Sequence, residues 1–142
     1  MGSVRATDWK AKGEFDSKLE SLLAQDITAY NTETLVCVAG SMTALASMYL
    51  GQKEYSDVKI EGMKIPFTTF KDFSHDLQNT SVENLRLLFP FLQKRAPMVA
   101  GGAHVAELIG EKLNIKTIKI STRGLRYGTV LTGGIDEQFI GQ

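Results

Sequence analysis

Thr34-Leu-Val-Cys-Val-Ala-Gly-Ser-Met-Thr-Ala-Leu-Ala-Ser-Met-Tyr-Leu50 is the stretch on which the fold turns. Its opening run, Thr34 to Ala39, is apolar and partly β-branched, and Gly40 ends it. That is the pattern of a strand buried on both faces in a parallel-type sheet. From Met42 to Leu50 the apolar residues continue as a helix, which Gly51 stops in the manner of a C-terminal glycine. A buried strand that passes through a small-residue turn into a helix is the repeating unit of an α/β layer structure.

Towards the N-terminus, Ser17 and Glu20 have the spacing of a capping box, followed by Leu19, Leu22, Leu23, Ile27 and Tyr30 on one helical face. Towards the C-terminus, Val58, Ile60, Met63 and Ile65 around Gly62 predict a short extended segment or ribbon, and Pro66 ends it. Phe70, Phe73 and Leu77 share a helical face after Thr68 or Thr69, and a second helix opens at Thr80 with Glu83 three residues on. Pro97 suits the first turn of a long helix whose inner face reads Met98, Val105, Leu108, Ile109 and Leu113. Gly101 and Gly102 inside that helix cost roughly 1 kcal/mol each against alanine, which close backbone packing must offset. Thr117 to Ser121 alternates as a strand does, and Arg123 to Leu131 is helical before Gly133 and Gly134 break it. Two strand-then-helix crossovers imply neighbouring parallel strands. The resulting sheet is thin and has an exposed edge, to be completed by the rest of a longer parent chain or by another copy.

With 142 residues, 43% of them apolar, the chain is expected to form a single domain over 1–142 with a real core. Lys+Arg and Asp+Glu both number 16, so no global field draws it to nucleic acid or to an anionic membrane. Any polyanion site must be local. The one cysteine, Cys37, has no disulfide partner, which fits a reducing, cytoplasmic compartment. No stretch is long and apolar enough to span a bilayer, so the expectation is a soluble protein.

Two turns are candidates for chemistry. In Ala39 to Ala46, small residues let a ligand approach the backbone, a helix N-terminus offers N–H groups at Gly40, and Ser41 and Thr43 add hydroxyls. Ser41 as a plain N-cap on a tight glycine turn explains the same residues, and the pattern alone leaves both readings open. In Ser121 to Gly128, a strand ends in a polar helix start at the end of the sheet where α/β folds bind ligands. Arg123 and Arg126 there could hold phosphates bidentately, and a solvated helix start with surface arginines is an equal alternative. His75 and His104 stand apart from any metal-ligand spacing, and no nucleophile–base arrangement is present.

Taken together, these segments resemble the exopolyphosphatase/guanosine pentaphosphatase (Ppx/GppA) family from Gly2 to about Leu131. Gly2-Ser-Val-Arg5 resembles the family's G-x-V-R step, and Ala39 to Ala46 its G-G-T-x-T-x-L-A turn. Arg95-Ala96 with Val99 to Gly102 resembles R-A-D-V-I-x-A-G-A, and Ser121 to Gly128 resembles S-x-x-G-L-R-E-G. Ala39, Pro97 and Tyr127 depart from these patterns. The resemblance implies a partial ribonuclease-H-like lobe of the actin, heat-shock chaperone and sugar kinase superfamily, helix-rich with a small parallel sheet. It also implies a parent enzyme that removes terminal phosphate from inorganic polyphosphate or guanosine pentaphosphate with a divalent cation, magnesium. The chain would then be a truncated second lobe, with Gly40, Ser41, Thr43, Arg123 and Arg126 as phosphate ligands. The first phosphate loop, the catalytic glutamate and the D-x-G-G-G-S loop have no counterpart here, so no catalytic residue is assigned and the chain alone is expected to be inactive. The alternative is a non-catalytic binding or oligomerisation module of the same fold, and homo-oligomers are expected on either reading.

Overall fold

The computed structural model describes residues 31–131 and, ahead of them, Glu14, Ser17, Lys18 and Ser21. The Gly2 to Arg5 step, most of the expected helix up to Tyr30, and the Gly133-Gly134 break lie outside the described residues. Around Ser17, the Lys18 amide and the Ser17 hydroxyl both donate to the Glu14 carbonyl at 3.1 Å, so helical hydrogen bonding already reaches back to Glu14.

The chain runs through β1 (Thr34–Cys37), α1 (Gly40–Tyr49), the single turn α2 (Asp57–Ile60), β2 (Lys64–Pro66), α3 (Phe67–Gln78) and α4 (Val82–Leu88). A 3-10 segment (Pro90–Arg95) then leads into α5 (Ala96–Lys112), β3 (Thr117–Ile120) and α6 (Leu125–Leu131). The sheet order is β1-β3-β2. β1 and β3 pair in parallel with Leu35 opposite Ile118 and Cys37 opposite Ile120. This is the pair that the two crossovers predict. β2 adds to the other side of β3 in the antiparallel sense, with Ile65 opposite Ile118, so the small sheet is mixed rather than wholly parallel.

The segment expected to be extended from Val58 to Ile65 divides in two. Val58 and Ile60 would share a face in a strand, yet Val58 is 90% exposed and Ile60 fully buried, which a helical turn permits and a pleat does not. Gly62, at φ 75°, reverses the chain, and its amide donates to the Ile120 carbonyl at 3.0 Å to start the β2–β3 ladder. α4 is capped one residue later than the sequence predicts: the Ser81 hydroxyl accepts from the Asn84 amide at 3.2 Å. Thr80 instead closes α3, donating from its hydroxyl to the Asp76 carbonyl at 2.7 Å.

One core forms where α1, α3 and α5 meet the sheet, around Leu45, Ile65, Phe70, Val99, Ile118 and Ile120. α5 turns its small residues inward: Ala96, Val99, Ala103, Ala106 and Gly110 are buried. Met98, Val105 and Ile109, expected on the inner face, are only half-buried. The reason is close approach between helices. At Gly110 a β-carbon would collide with the edge of the Phe67 ring, 2.7 Å from Cζ and closer still to Cε2, and stand 3.0 Å from the Ile115 side chain, so a stripe of larger residues would push α3 away. A polar seam completes the α3–α5 contact. The buried Ser74 hydroxyl donates to Glu107 at 2.8 Å, the Gln78 amide lies 3.3 Å from His104, and Lys71 pairs with Glu111.

Turning the small stripe inward leaves the larger α5 side chains beside β1. Together they form an apolar groove of about 550 Å³ lined by Leu35, Val36, Val38, Met98, Val105 and Ile109. The carbonyls of Glu33 and Cys37 accept from β3 and its flanks, so by the alternation of a strand the backbone of Thr34 and Val36 faces the edge of β1 that no described strand pairs with.

Candidate functional site

α1 starts from a main chain that glycine normally adopts. Ala39, its N-cap, has φ 77° and ψ 167°, and its methyl side chain makes no capping hydrogen bond. The first helical bond is Thr43 N to Ala39 O at 3.1 Å, so the amides ahead of Thr43 point out of the helix end. Gly40 leaves room there for Arg95: a β-carbon on Gly40 would lie 3.2 Å from the Arg95 Nη1 atom and 3.3 Å from its central guanidinium carbon. Arg95 is delivered by the 3-10 segment, in which Gln93 is bent to φ 45° and ψ −115°.

The partial positive charge of a helix N-terminus and a guanidinium repel each other. Among the described residues Arg95 forms no ion pair that would neutralise it. The arrangement is complementary to an anion, which would accept from the helix amides on one side and from the guanidinium on the other.

The cleft at this point has a volume of about 580 Å³, and Gly40, Thr43, Tyr55, Lys94, Arg95 and Thr122 are among its lining residues. The strand-end turn after β3 therefore does face the turn after β1 across one cavity, as the position of both turns at the same sheet end requires. Tyr55 stands at the side of the cleft. Burial, then hydrogen bonding to Asp57, push its hydroxyl pKa up despite the opposing pull of Thr43 and Arg95, so the phenol remains a neutral donor.

The residues expected to bind ligand are placed differently from one another. Gly40 lines the cleft. Thr43 lines it but is 5% exposed, and its hydroxyl donates to the Gly40 carbonyl at 3.3 Å. Ser41 lies on the far side of the helix end, in the wall of the apolar groove. Arg123 points to Glu61, with Nε 3.8 Å from a carboxylate oxygen, and its guanidinium carbon lies over the Tyr127 ring at 5.9 Å from the centroid. Arg126 is in the first turn of α6, and its side chain lies outside the described residues. Arg95 was legible in sequence as the first residue of the segment that resembles R-A-D-V-I-x-A-G-A. Nothing local signalled that a bent 3-10 segment would carry its guanidinium back over Gly40.

Neither a protein-family model nor a curated protein matches the chain. Solved structures do. An exopolyphosphatase-like protein superposes with a TM-score of 0.79 at 20% identity, over 99% of this chain and 49% of that one. The type II variant of the Aquifex aeolicus Ppx/GppA phosphatase gives a TM-score of 0.78 at 19% identity, over 94% and 47%. An exopolyphosphatase from Cytophaga hutchinsonii gives 0.67 at 19% identity, over 92% and 40%. The chain spans about half the length of the solved structures that it matches, or less. Its fold is therefore that of one part of the Ppx/GppA phosphatase structures, a partial actin-like lobe.

Proposed function

We propose that this chain carries one wall of the phosphate site of a phosphoanhydride hydrolase that acts on inorganic polyphosphate or guanosine pentaphosphate. The observation that carries the reading is Arg95 over the N-terminus of α1, a meeting of two positive groups that an anion between them would turn from repulsive to attractive. The fold of exopolyphosphatase structures and the order of the four motifs support phosphate as that anion. Gly40 and Arg95 hold the phosphate, Lys94 adds charge, and Thr122 closes the opposite side.

Hydrolysis itself belongs to the other part of the parent enzyme. Among the described residues no group of three or more His, Cys, Asp or Glu side chains is placed to hold a metal ion. No step is assigned through one. The chain by itself binds phosphate chains and does not cleave them. It is placed in the cytoplasm, where Cys37, with burial pushing its thiol up to about 11, stays an inert apolar residue. No helix among the described residues is long and apolar enough to cross a membrane.

Titration calorimetry with tripolyphosphate tests the reading. Loss of charge-assisted hydrogen bonds from one arginine is worth about 1.5–3 kcal/mol, so Arg95→Gln should weaken binding roughly 10- to 150-fold. Its folding stability should hold or rise slightly, because a cation leaves the helix N-terminus. Equal affinity in the two proteins would remove Arg95 from the site.

The apolar groove supports a second reading, an assembly module. The β1 edge from Thr34 to Ala39 has no charge, proline or bulge to discourage pairing, and Val36 and Val38 are 56% and 43% exposed. In the absence of the rest of a parent chain, two copies can pair edge to edge about a two-fold axis.

A further inference from the structure

We propose that Glu61 is a built-in anion that closes the turn after β3 to phosphate, fixing Thr122 as a wall of the cleft and confining an oxyanion to the Gly40–Arg95 side. The inference deepens the phosphate-site reading and rests on it for the identity of the anion. It starts from the sequence pattern of Ser121 to Gly124, which offers two hydroxyls, free amides and an arginine at a strand end, the donor set a phosphate needs.

In the structure that donor set is already engaged. One Glu61 oxygen, Oε2, accepts from the Thr122 amide at 2.6 Å and from the Thr122 hydroxyl at 2.6 Å. The Ser121 hydroxyl lies 3.2 Å from Oε1 and 3.3 Å from Oε2. It also accepts from the Arg123 amide at 3.1 Å, and Arg123 Nε stands 3.8 Å from Oε1. A carboxylate thus takes the place that a phosphate oxygen pair would take.

Glu61 is held there by backbone rather than by its own side-chain preference. It follows the last residue of α2 and precedes Gly62, whose amide donates to the Ile120 carbonyl at 3.0 Å. Ile120 N in turn donates to Met63 O at 2.8 Å, so the main chain on the C-terminal side of Glu61 is tied to the end of β3. An intramolecular ligand positioned in this way competes at an effective concentration that a free anion in solution does not reach. Hydrogen bonds from Thr122 also hold the carboxyl below the ordinary carboxylate range, so it stays charged at neutral pH and repels a second anion.

Two roles follow. Thr122 lines the same cleft as Gly40, and Glu61 sets its position through that residue's amide and hydroxyl. Arg123, which the sequence offers as a phosphate ligand, is oriented towards Glu61 and does not share in binding. Glu61 is on this account a positioning residue and a specificity element, which leaves one anion-binding turn open where the sequence shows two.

Residue-resolved NMR of the whole chain, titrated with tripolyphosphate, tests the proposal. In the unsubstituted protein the amides of Gly40, Ser41 and Met42 should titrate, and those of Thr122 and Arg123 should stay within noise. In Glu61→Gln, which keeps the shape and removes the charge, the Thr122 and Arg123 amides should titrate as well, with at least tenfold tighter binding at that turn than before. If Thr122 and Arg123 titrate together with Gly40 in the unsubstituted protein, the proposal is overturned, and this arm does not depend on how any variant folds. A folded Glu61→Gln protein whose Thr122 and Arg123 amides remain silent overturns it too. Silence at Gly40 with a response at Thr122 only in Glu61→Gln would instead refute the phosphate-site reading while upholding the closure by Glu61.

Discussion

Replacing Ala39 by glycine should stabilise the protein, against the usual direction of such a change. Ala39 has φ 77° and ψ 167°, a region of the backbone map that is essentially restricted to glycine. Holding a residue with a β-carbon in such a region costs about 1–3 kcal/mol. Glycine removes that strain but gives the unfolded chain more freedom, which costs about 0.4–1 kcal/mol. The net gain is then centred on about 1.3 kcal/mol and reaches at most about 2.6 kcal/mol, where most alanine-to-glycine substitutions destabilise. Equilibrium urea unfolding reads it directly. With a slope of about 1–3 kcal/mol/M, the midpoint should rise by roughly 0.5–1 M at unchanged slope. A lowered midpoint would refute the backbone assignment at Ala39, and with it the geometry that aims the first amides of α1 into the cleft. The Ppx/GppA turn pattern carries glycine where this chain has Ala39, which is the residue the backbone asks for.

Three further outcomes follow from packing, charge and the open edge. Gly110→Ala should destabilise by about 1–3 kcal/mol in the same urea assay, because the added carbon would collide with the edge of the Phe67 ring; an unchanged midpoint would mean that α3 and α5 are further apart than described. Glu61 has its pKa lowered below the ordinary 4.5, mainly by bonds from Thr122, so its contribution to stability is present above that value and lost as pH falls through the folded value. Glu61→Gln should accordingly flatten the loss of stability on acidification below about pH 4.5, and parallel profiles would show that the carboxylate is not specifically held. Val36→Lys puts a charge on the open β1 edge and should shift the protein towards monomer in sedimentation at micromolar concentration, whereas an unsubstituted protein that is already a strict monomer would remove the assembly reading.

The strand–turn–helix unit at Thr34–Leu50 and the parallel pairing of β1 with β3 were legible because both rest on local pattern: an apolar β-branched run, a glycine, and a helical period. The direction of β2 was not, since three residues carry no information on whether a neighbouring strand runs with or against them. The inner face of α5 was misread for a definite reason. Periodicity identifies where large apolar residues lie, whereas the contact with α3 selects small ones, and Gly110 against Phe67 is a fact about two helices at once. The candidate site shows the same division. Gly40 could be found from the turn itself, and its match to the family pattern raised its interest. Arg95 could not be placed from sequence, because its position depends on the bend at Gln93. The role of Arg123 depends on Glu61, some sixty residues away in the chain, whose carboxylate meets the turn only when the β2–β3 ladder forms.

A crystal structure of the chain grown with tripolyphosphate tests the central claim most directly. The account predicts a terminal phosphate between the first amides of α1 and Arg95, with donor–acceptor distances of about 2.7–3.1 Å and Glu61 still bound to Thr122. A phosphate bound by Arg123 and Thr122 in place of Glu61, with Arg95 turned out to solvent, would contradict it.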